Sequence, residues 1–253
     1  MTALPLRQNT VENSQRLVST DSESAIYRDG SYLQYNPSWH AEESPFKVRQ
    51  ILRMVERQRL APKSVCDVGC GVGIVLAELQ SHLPVDCTCW GYDVSPDAIA
   101  MCADRGNENL RFRLRDIRKD QIEIVFDLLL MLDVFEHVED YIGLIRAVRS
   151  KAKQKLFHIP LDLSVQAVLR KNGLLLRRDH HAHLHYFTKE TALRTLTDVG
   201  YQIVDYFYTP RCIELGDKLI QRVVRLPRQL CFGVSQDLSV RVLGGYSLMV
   251  LAE

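Results

Sequence analysis

Apolar residues recur along this chain with two periods, and the pattern switches repeatedly between them. Residues 65–68 and 125–132 are short apolar runs of strand length. The second has almost no polar side chain, as expected for a central strand covered on both faces. Residues 89–95, 110–114, 155–159, 201–208 and 246–252 give five further strand patterns. Between them the spacing turns helical. A helix over 44–59 opens at Ser44-Pro45 and puts Phe46, Val48, Ile51, Leu52 and Val55 on one face. Further helices are predicted over 74–79, 97–103 and 140–150. Another follows Thr188, whose hydroxyl and following acid suit a capping box, and it stops at Gly200. Strand alternating with helix predicts an α/β fold with a doubly wound parallel sheet.

The remaining stretches sort by composition. Residues 1–25 are rich in Ser, Thr, Asn and Gln and read as a disordered tail. Residues 26–253 read as one domain. It begins with an aromatic arm and the first helix (26–60) and carries two insertions, 160–187 and 209–243.

One junction carries the chemistry. Val65-Cys66-Asp67-Val68 runs straight into Gly69-Cys70-Gly71-Val72-Gly73, and a helix follows. A strand, a glycine turn and a helix hold a nucleotide-like ligand at the carboxyl end of a sheet. The dinucleotide fingerprint needs a third glycine where Ile74 stands. It also rests a pyrophosphate on the loop, which Asp67 would repel. A carboxylate there suits a ligand bearing an ammonium or sulfonium group. Asp93 ends the second strand about twenty residues beyond the loop, the spacing at which an acid reaches a ribose.

These residues resemble the class I S-adenosylmethionine-dependent methyltransferases, whose first motif is an acid followed by Gly-x-Gly-x-Gly. The likeness continues through Asp93-Val94-Ser95, Arg115-Asp116-Ile117 and Asp133-Val134-Phe135-Glu136-His137-Val138. The last pattern resembles family members acting on small molecules, including the quinone-biosynthesis O-methyltransferases. Bacterial glycan-cluster methyltransferases are also similar. The resemblance implies a Rossmann-like seven-stranded sheet, order 3-2-1-4-5-7-6, with the last strand antiparallel. It implies S-adenosyl-L-methionine as cofactor and S-adenosyl-L-homocysteine as product. By the same resemblance the cofactor is held by Asp67, Gly69, Cys70, Gly71 and Gly73, by Asp93 and Val94, by Asp116 and Ile117 at the adenine, and by Leu132, Asp133 and His137.

Composition narrows the class without naming the acceptor. The 253 residues carry a formal net charge of +1, which gives no general pull toward nucleic acid. No apolar run approaches a membrane span. The seven cysteines are odd in number and form no Cys-x-x-Cys, so a reducing cytoplasm is expected rather than a disulfide framework.

If the acceptor is a hydroxyl, a base must take its proton. His137 is the first candidate, at the end of the fourth strand. His185 is the second, in the cluster 180–185, where the resemblance implies a substrate lid. On a strand, His181, His183 and His185 would share a face and could hold a metal, but the lid reading is preferred and no metal is expected. Tyr35 and Trp39 of the arm, His158 at the end of the fifth strand and His183 of the cluster are expected to face the acceptor. Residues 217–230 alternate Leu219, Ile220, Val223, Val224 and Leu226 with Lys218, Arg222, Arg225 and Arg228. Such a segment can lie on a membrane surface or bind an anionic substrate, or serve as a lid with a solvated face, and Pro227 should limit its length. The acceptor is then a small molecule, anionic, glycan or lipid-linked. Two alternatives stand beside methyl transfer: a nicotinamide-dependent oxidoreductase, which Asp67 and Ile74 disfavour, and a non-catalytic S-adenosylmethionine-binding protein.

Overall fold

The computed structural model describes residues 27, 30, 32–33, 36–120, 124–215 and 219–253. The expected disordered tail and Tyr35 lie outside the described residues. Seven strands form one sheet: β1 (Ser64–Val68), β2 (Thr88–Asp93), β3 (Leu110–Leu114), β4 (Phe126–Leu132), β5 (Ala152–Pro160), β6 (Ile203–Thr209) and β7 (Ser247–Ala252). Their order is 3-2-1-4-5-7-6. β1 pairs in parallel with β2 and β4, β2 with β3, and β4 with β5. β7 runs antiparallel to both neighbours, with Phe157 opposite Val250 and Phe207 opposite Met249. The sheet is therefore the expected one.

Strand alternation divides the core into two. Val65, Leu128, Leu130, Leu156 and Leu251 face helices α1 (Ser44–Gln58) and α2 (Ile74–Gln80). Cys66, Leu129, Met131, Phe157 and Val250 face α4 (Tyr141–Val148) and α7 (Lys189–Asp198). Residues i and i+2 of one strand thus serve one layer and residue i+1 serves the other. Between α2 and α4 lies α3 (Pro96–Met101), with Ser95 as a side-chain cap on the Ala98 amide.

The sequence reading needs three local corrections. Thr188 does cap α7, but its reciprocal partner is the Thr191 hydroxyl and not an acid. Insertion 160–187 is not a bare loop: it folds α5 (Val165–Leu169) and α6 (Gly173–His181), and Ala182 at φ 57 stops the helix. His181 is therefore helical while His183 and His185 follow in extended chain, so the three do not share a strand face. The second insertion folds α8 (Arg211–Glu214), α9 (Leu219–Val234) and α10 (Gln236–Leu243). Pro227 lies inside α9 and does not end it. The next residue holds that turn: Arg228 donates to the Gly244 carbonyl at 2.8 Å, the Leu243 carbonyl at 3.1 Å and Gln166 at 3.2 Å.

Candidate cofactor and acceptor cleft

A cleft of about 250 Å³ opens over the carboxyl ends of β1, β2 and β4. Its floor is the glycine turn. Gly69 stands at φ 76, Gly71 at φ 54 and Gly73 at φ 75, all in the left-handed region that glycine enters without a Cβ penalty. The Gly71 amide donates to Asp93 Oδ2 at 2.9 Å, and the Ser95 amide to Oδ1 of the same carboxylate at 2.9 Å. Asp93 therefore ties the turn to the end of β2, and each oxygen keeps a lone pair for a further donor. Burial raises the Asp93 carboxyl, against the pull of those amides.

The glycines divide their work unequally. Gly69 and Gly71 line the cleft, with Cys70 between them. Gly73 does not. A Cβ there would lie 2.6 Å from the Phe112 ring and 2.9 Å from Cys102 Sγ, so its role is close packing beneath the turn. At Gly69 a Cβ would lie 2.6 Å from Val134 Cγ2.

Asp67 is 2% exposed, and its Oδ1 has no hydrogen-bond partner among the described residues. Burial pushes its carboxyl up to about 7; Lys47 opposes the shift and Asp93 adds to it. A buried acceptor left over at the rim of a glycine turn fits a cationic ammonium, and this is the test the expected cofactor passes. Val94, Asp116, Ile117, Leu132 and Asp133 complete that part of the wall. Asp116 is held from its own strand end: Arg118 donates to it through Nε and Nη2, both at 3.1 Å. Burial raises the Asp116 carboxyl, but Arg118 brings it below its usual range.

The other half of the cleft is built by the arm, by the end of β4 and by insertion 160–187. Tyr27, Tyr32 and Trp39 pack together, with Tyr32 and Trp39 centroids 4.9 Å apart. Trp39 and His40 both sit at positive φ, 49° and 57°, which turns the arm over the cleft. His137 lines the cleft beneath Tyr27, at 6.3 Å between centroids. Its Nδ1–H donates to the Ala182 carbonyl at 3.2 Å, so Nε2 is left as an acceptor. Burial, helped by His183, brings this imidazole down to about 3. It is neutral at working pH.

Beside it Glu136 is fully buried, and neither carboxylate oxygen has a hydrogen-bond partner among the described residues. Burial raises this carboxyl well above its usual range. Its Oε1 lies 3.7 Å from His137 Nε2. His183 also lines the cleft, with Nδ1 2.6 Å from Asp162 Oδ2. Glu136, His137 and His183 each offer one ligand atom, all within 4.8 Å of one another. That set could hold a cation, and it differs from the His181, His183 and His185 trio that the sequence suggested.

Besides Gly73, two expected site residues do not reach the cleft, His158 and His185. His158 is 1% exposed, with Nδ1 2.6 Å from Asp133 Oδ1 and Nε2 2.8 Å from Thr209 Oγ1. Both nitrogens are spent inside the protein, and the side chain acts as a strut between β4 and β6. His185 stands behind the wall, with Nε2–H donating to the Val138 carbonyl at 3.0 Å and its ring 4.4 Å from Tyr141. A base there would have neither a free nitrogen on that side nor a path to the cleft.

Sequence reasoning missed Lys47. Its Nζ lies 2.8 Å from Asp133 Oδ2, and it lines the cleft. Burial would raise the Asp133 carboxyl, but His158 and Lys47 hold it well below the usual range. The signal was present: Glu43, which caps α1, and Lys47 in its first turn are four residues apart, and both line the cleft. Glu43 pairs with Arg211 across the two ends of the domain, its Oε2 accepting from Nε at 2.9 Å.

A family model described as a methyltransferase domain matches residues 39–206, well over half the chain. No curated protein sequence matches it. Among solved structures, the plantazolicin methyltransferase BpumL, crystallised with a monoazolic desmethylPZN analog and SAH, is 17% identical with a TM-score of 0.60, covering 91% of this chain and 92% of that one. The N-methyltransferase NodS from Bradyrhizobium japonicum WM9, in complex with S-adenosyl-L-homocysteine, is 17% identical with a TM-score of 0.54, covering 82% and 85%. The [4+2]-cyclase SpnF is 17% identical with a TM-score of 0.56, covering 81% and 80%. At such identities the likeness is one of fold.

Proposed function

Because this chain belongs to the methyltransferase-domain family, we propose that it moves the methyl group of S-adenosylmethionine to a hydroxyl oxygen of a small-molecule acceptor. The carrying observation is the orphaned Asp67 Oδ1 beside the glycine turn, with Asp93 tied to that turn by the Gly71 amide. Fold alone would not decide the reaction, since a [4+2]-cyclase shares it. Asp67 would meet the ammonium, Asp93 the ribose, and Ile117 and Asp116 the adenine. Bound there, the cofactor supplies an electrophilic methyl on a sulfonium.

The chain's own part is alignment, exclusion of water and disposal of a proton. Tyr27, Tyr32 and Trp39 close the cleft from the arm side, where positioning can contribute several kcal/mol and up to roughly 7–11 in model systems. His137 Nε2 accepts the hydrogen bond of the acceptor hydroxyl and fixes its direction. Methyl transfer from the bound cofactor would give that oxygen a third bond and leave the C–S electron pair on sulfur, making the hydroxyl a far stronger acid than imidazolium. A base held near 3 therefore suffices to take the proton. His183, oriented by Asp162, lies where the rest of the acceptor would sit.

Parallel isothermal titration with S-adenosylhomocysteine, S-adenosylmethionine and NADH tests the cofactor half. Binding of the two adenosyl ligands and not NADH is expected. Silence from both adenosyl ligands, in protein shown to be folded, would overturn it.

A further inference from the structure

Among the described residues, ten of the seventeen exposed large hydrophobic side chains lie on just four helices, α5, α6, α9 and α10. On α9 they are Leu226, Leu230 and Val234, spaced four apart along one outer stripe, with Val234 89% exposed. Leu238 and Val242 continue the spacing on α10. On α5, Val165, Val168 and Leu169 are turned outward, and Leu169 is 80% exposed. Leu175 and Leu176 follow on α6. The four helices are packed in series, α9 on α10, α10 on α5 and α5 on α6. Arg228 fastens α9 to α5 through Gln166. The aliphatic side chains therefore sit on one connected cap rather than scattered over the molecule, which is how single exposed leucines are normally found.

The charge of the same helices is skewed. Residues 165–181 carry Arg170, Lys171, Arg177 and Arg178 against Asp179 alone. Residues 219–234 carry Arg222, Arg225 and Arg228 and no acid. α10 adds Arg241 and Asp237, so the cap carries eight cations against two acids, a surplus of six in a chain whose net charge is +1. Arg177 and Arg228 are used internally, but Arg170, Lys171 and Arg225 are exposed, and none of the three makes an ion pair among the described residues.

We propose that this cap is a docking surface for an anionic phospholipid bilayer, with the aliphatic stripe in the headgroup boundary and the free cations on the lipid phosphates. Aliphatic area and basic charge on one helical face are the two terms that bind interfacial helices reversibly. No helix among the described residues is long and apolar enough to cross a membrane, and the proposed contact is with the surface. A second copy of this chain fits less well, because a two-fold contact would bring the unpaired cations of both copies together. α6 also supplies Arg177 and His181 to the cleft wall. The cap therefore borders the acceptor's side of the cleft, and its acceptor is amphiphilic or lipid-linked. That last step rests on the methyl-transfer reading; the docking does not.

The test uses the full chain and vesicles of phosphatidylcholine, with and without about a third phosphatidylglycerol. Sedimentation with the anionic vesicles is expected, with much weaker binding to phosphatidylcholine alone and loss in high salt. The triple variant Leu226→Glu, Leu230→Glu, Val234→Glu should lower partitioning by roughly tenfold or more. All three positions are already exposed, so its far-UV circular dichroism and S-adenosylhomocysteine titration should match the parent. A parent that stays in the supernatant at low salt overturns the proposal, as does a variant that partitions equally. So does a parent that is dimeric in solution and becomes monomeric in the variant, which would give the surface to a second copy. If neither protein binds the adenosyl ligand while the parent still sediments, the cofactor reading fails and the docking stands.

Discussion

His137 and Ala182, 45 residues apart, are joined by a 3.2 Å hydrogen bond from Nδ1–H to the carbonyl. The bond fixes the tautomer. It presents an unprotonated Nε2 to the cleft, and burial keeps the ring neutral down to about 3.

Replacing His137 by Gln should leave S-adenosylhomocysteine affinity within a few-fold of the parent. It should slow single-turnover methyl transfer by roughly 10²–10⁴ if the ring takes the proton. A parallel loss of cofactor affinity would assign His137 to framing the adenosyl pocket. The parent's turnover should show no inflection from this ring between pH 5 and 8. The lowered pKa also has a stability consequence. Stability from this group is present above the free imidazole value near 6.5. It is lost as pH falls toward 3, and a pH series of chemical denaturation in parent and variant measures it.

Asp67 works in the opposite direction. Its carboxyl is raised from 3.8 to about 7, so the folded chain binds this proton more tightly than the unfolded one. Stability from it is present below 3.8 and lost as pH rises to 7. Asp67→Asn should therefore raise the stability of the ligand-free protein at neutral pH, by an amount on the order of 3–4 kcal/mol at most. The same change should abolish binding of the adenosyl ligands. In the parent, their affinity should fall as pH drops below 7, because the neutral acid no longer attracts an ammonium. Thermal melts and titrations at several pH values read both effects. An unchanged affinity in the variant would remove Asp67 from the site.

The two cleft glycines should tolerate a methyl group differently. Gly69→Ala combines φ 76 with a Cβ 2.6 Å from Val134. It should cost about 2 kcal/mol or more and disrupt the turn. Gly71→Ala has φ 54 and only an ordinary 3.8 Å contact with Trp39. Its cost should stay near 1 kcal/mol, the backbone part alone. Differential scanning fluorimetry with and without S-adenosylhomocysteine separates the two, and equal costs would mean that Val134 yields freely.

Lys47→Met should leave Asp133 with only His158, and removing one partner of a mostly buried pair costs about 3–5 kcal/mol. Lys47 and His158 hold the Asp133 carboxyl down, so their stabilisation is present above the free carboxylate value and lost as pH falls through the lowered one. The deficit of the variant should thus be full at neutral pH and shrink in acid, as a denaturant series would show.

Legibility in the sequence followed the range of the interactions. The sheet could be read because each strand carries its own signature, and Val125 to Leu132 could hardly be anything but a covered strand. That Asp67, Gly69, Gly71 and Asp93 share one cleft could be read because they lie at local strand ends. On the acceptor side Trp39, His137 and His183 could be named but their partners could not, because those are distant in the chain. His183 meets Asp162, Lys47 meets Asp133, and Glu43 meets Arg211. His158 was expected at the cleft from its place at the end of the fifth strand and His185 from the lid that the resemblance implied, and neither signal revealed that Thr209 and Val138 would occupy a nitrogen of each.

The place of β7 between β5 and β6 has a consequence in time. β5 and β6 leave the ribosome with bare apolar edges, and the strand that joins them is the last of the seven to be made. The 37 residues between Thr209 and Ser247 take roughly 2–7 s at ordinary translation rates. For that interval the nascent chain shows two unpaired edges, so a ribosome stalled before codon 247 would expose a template for aggregation and not a partly working enzyme.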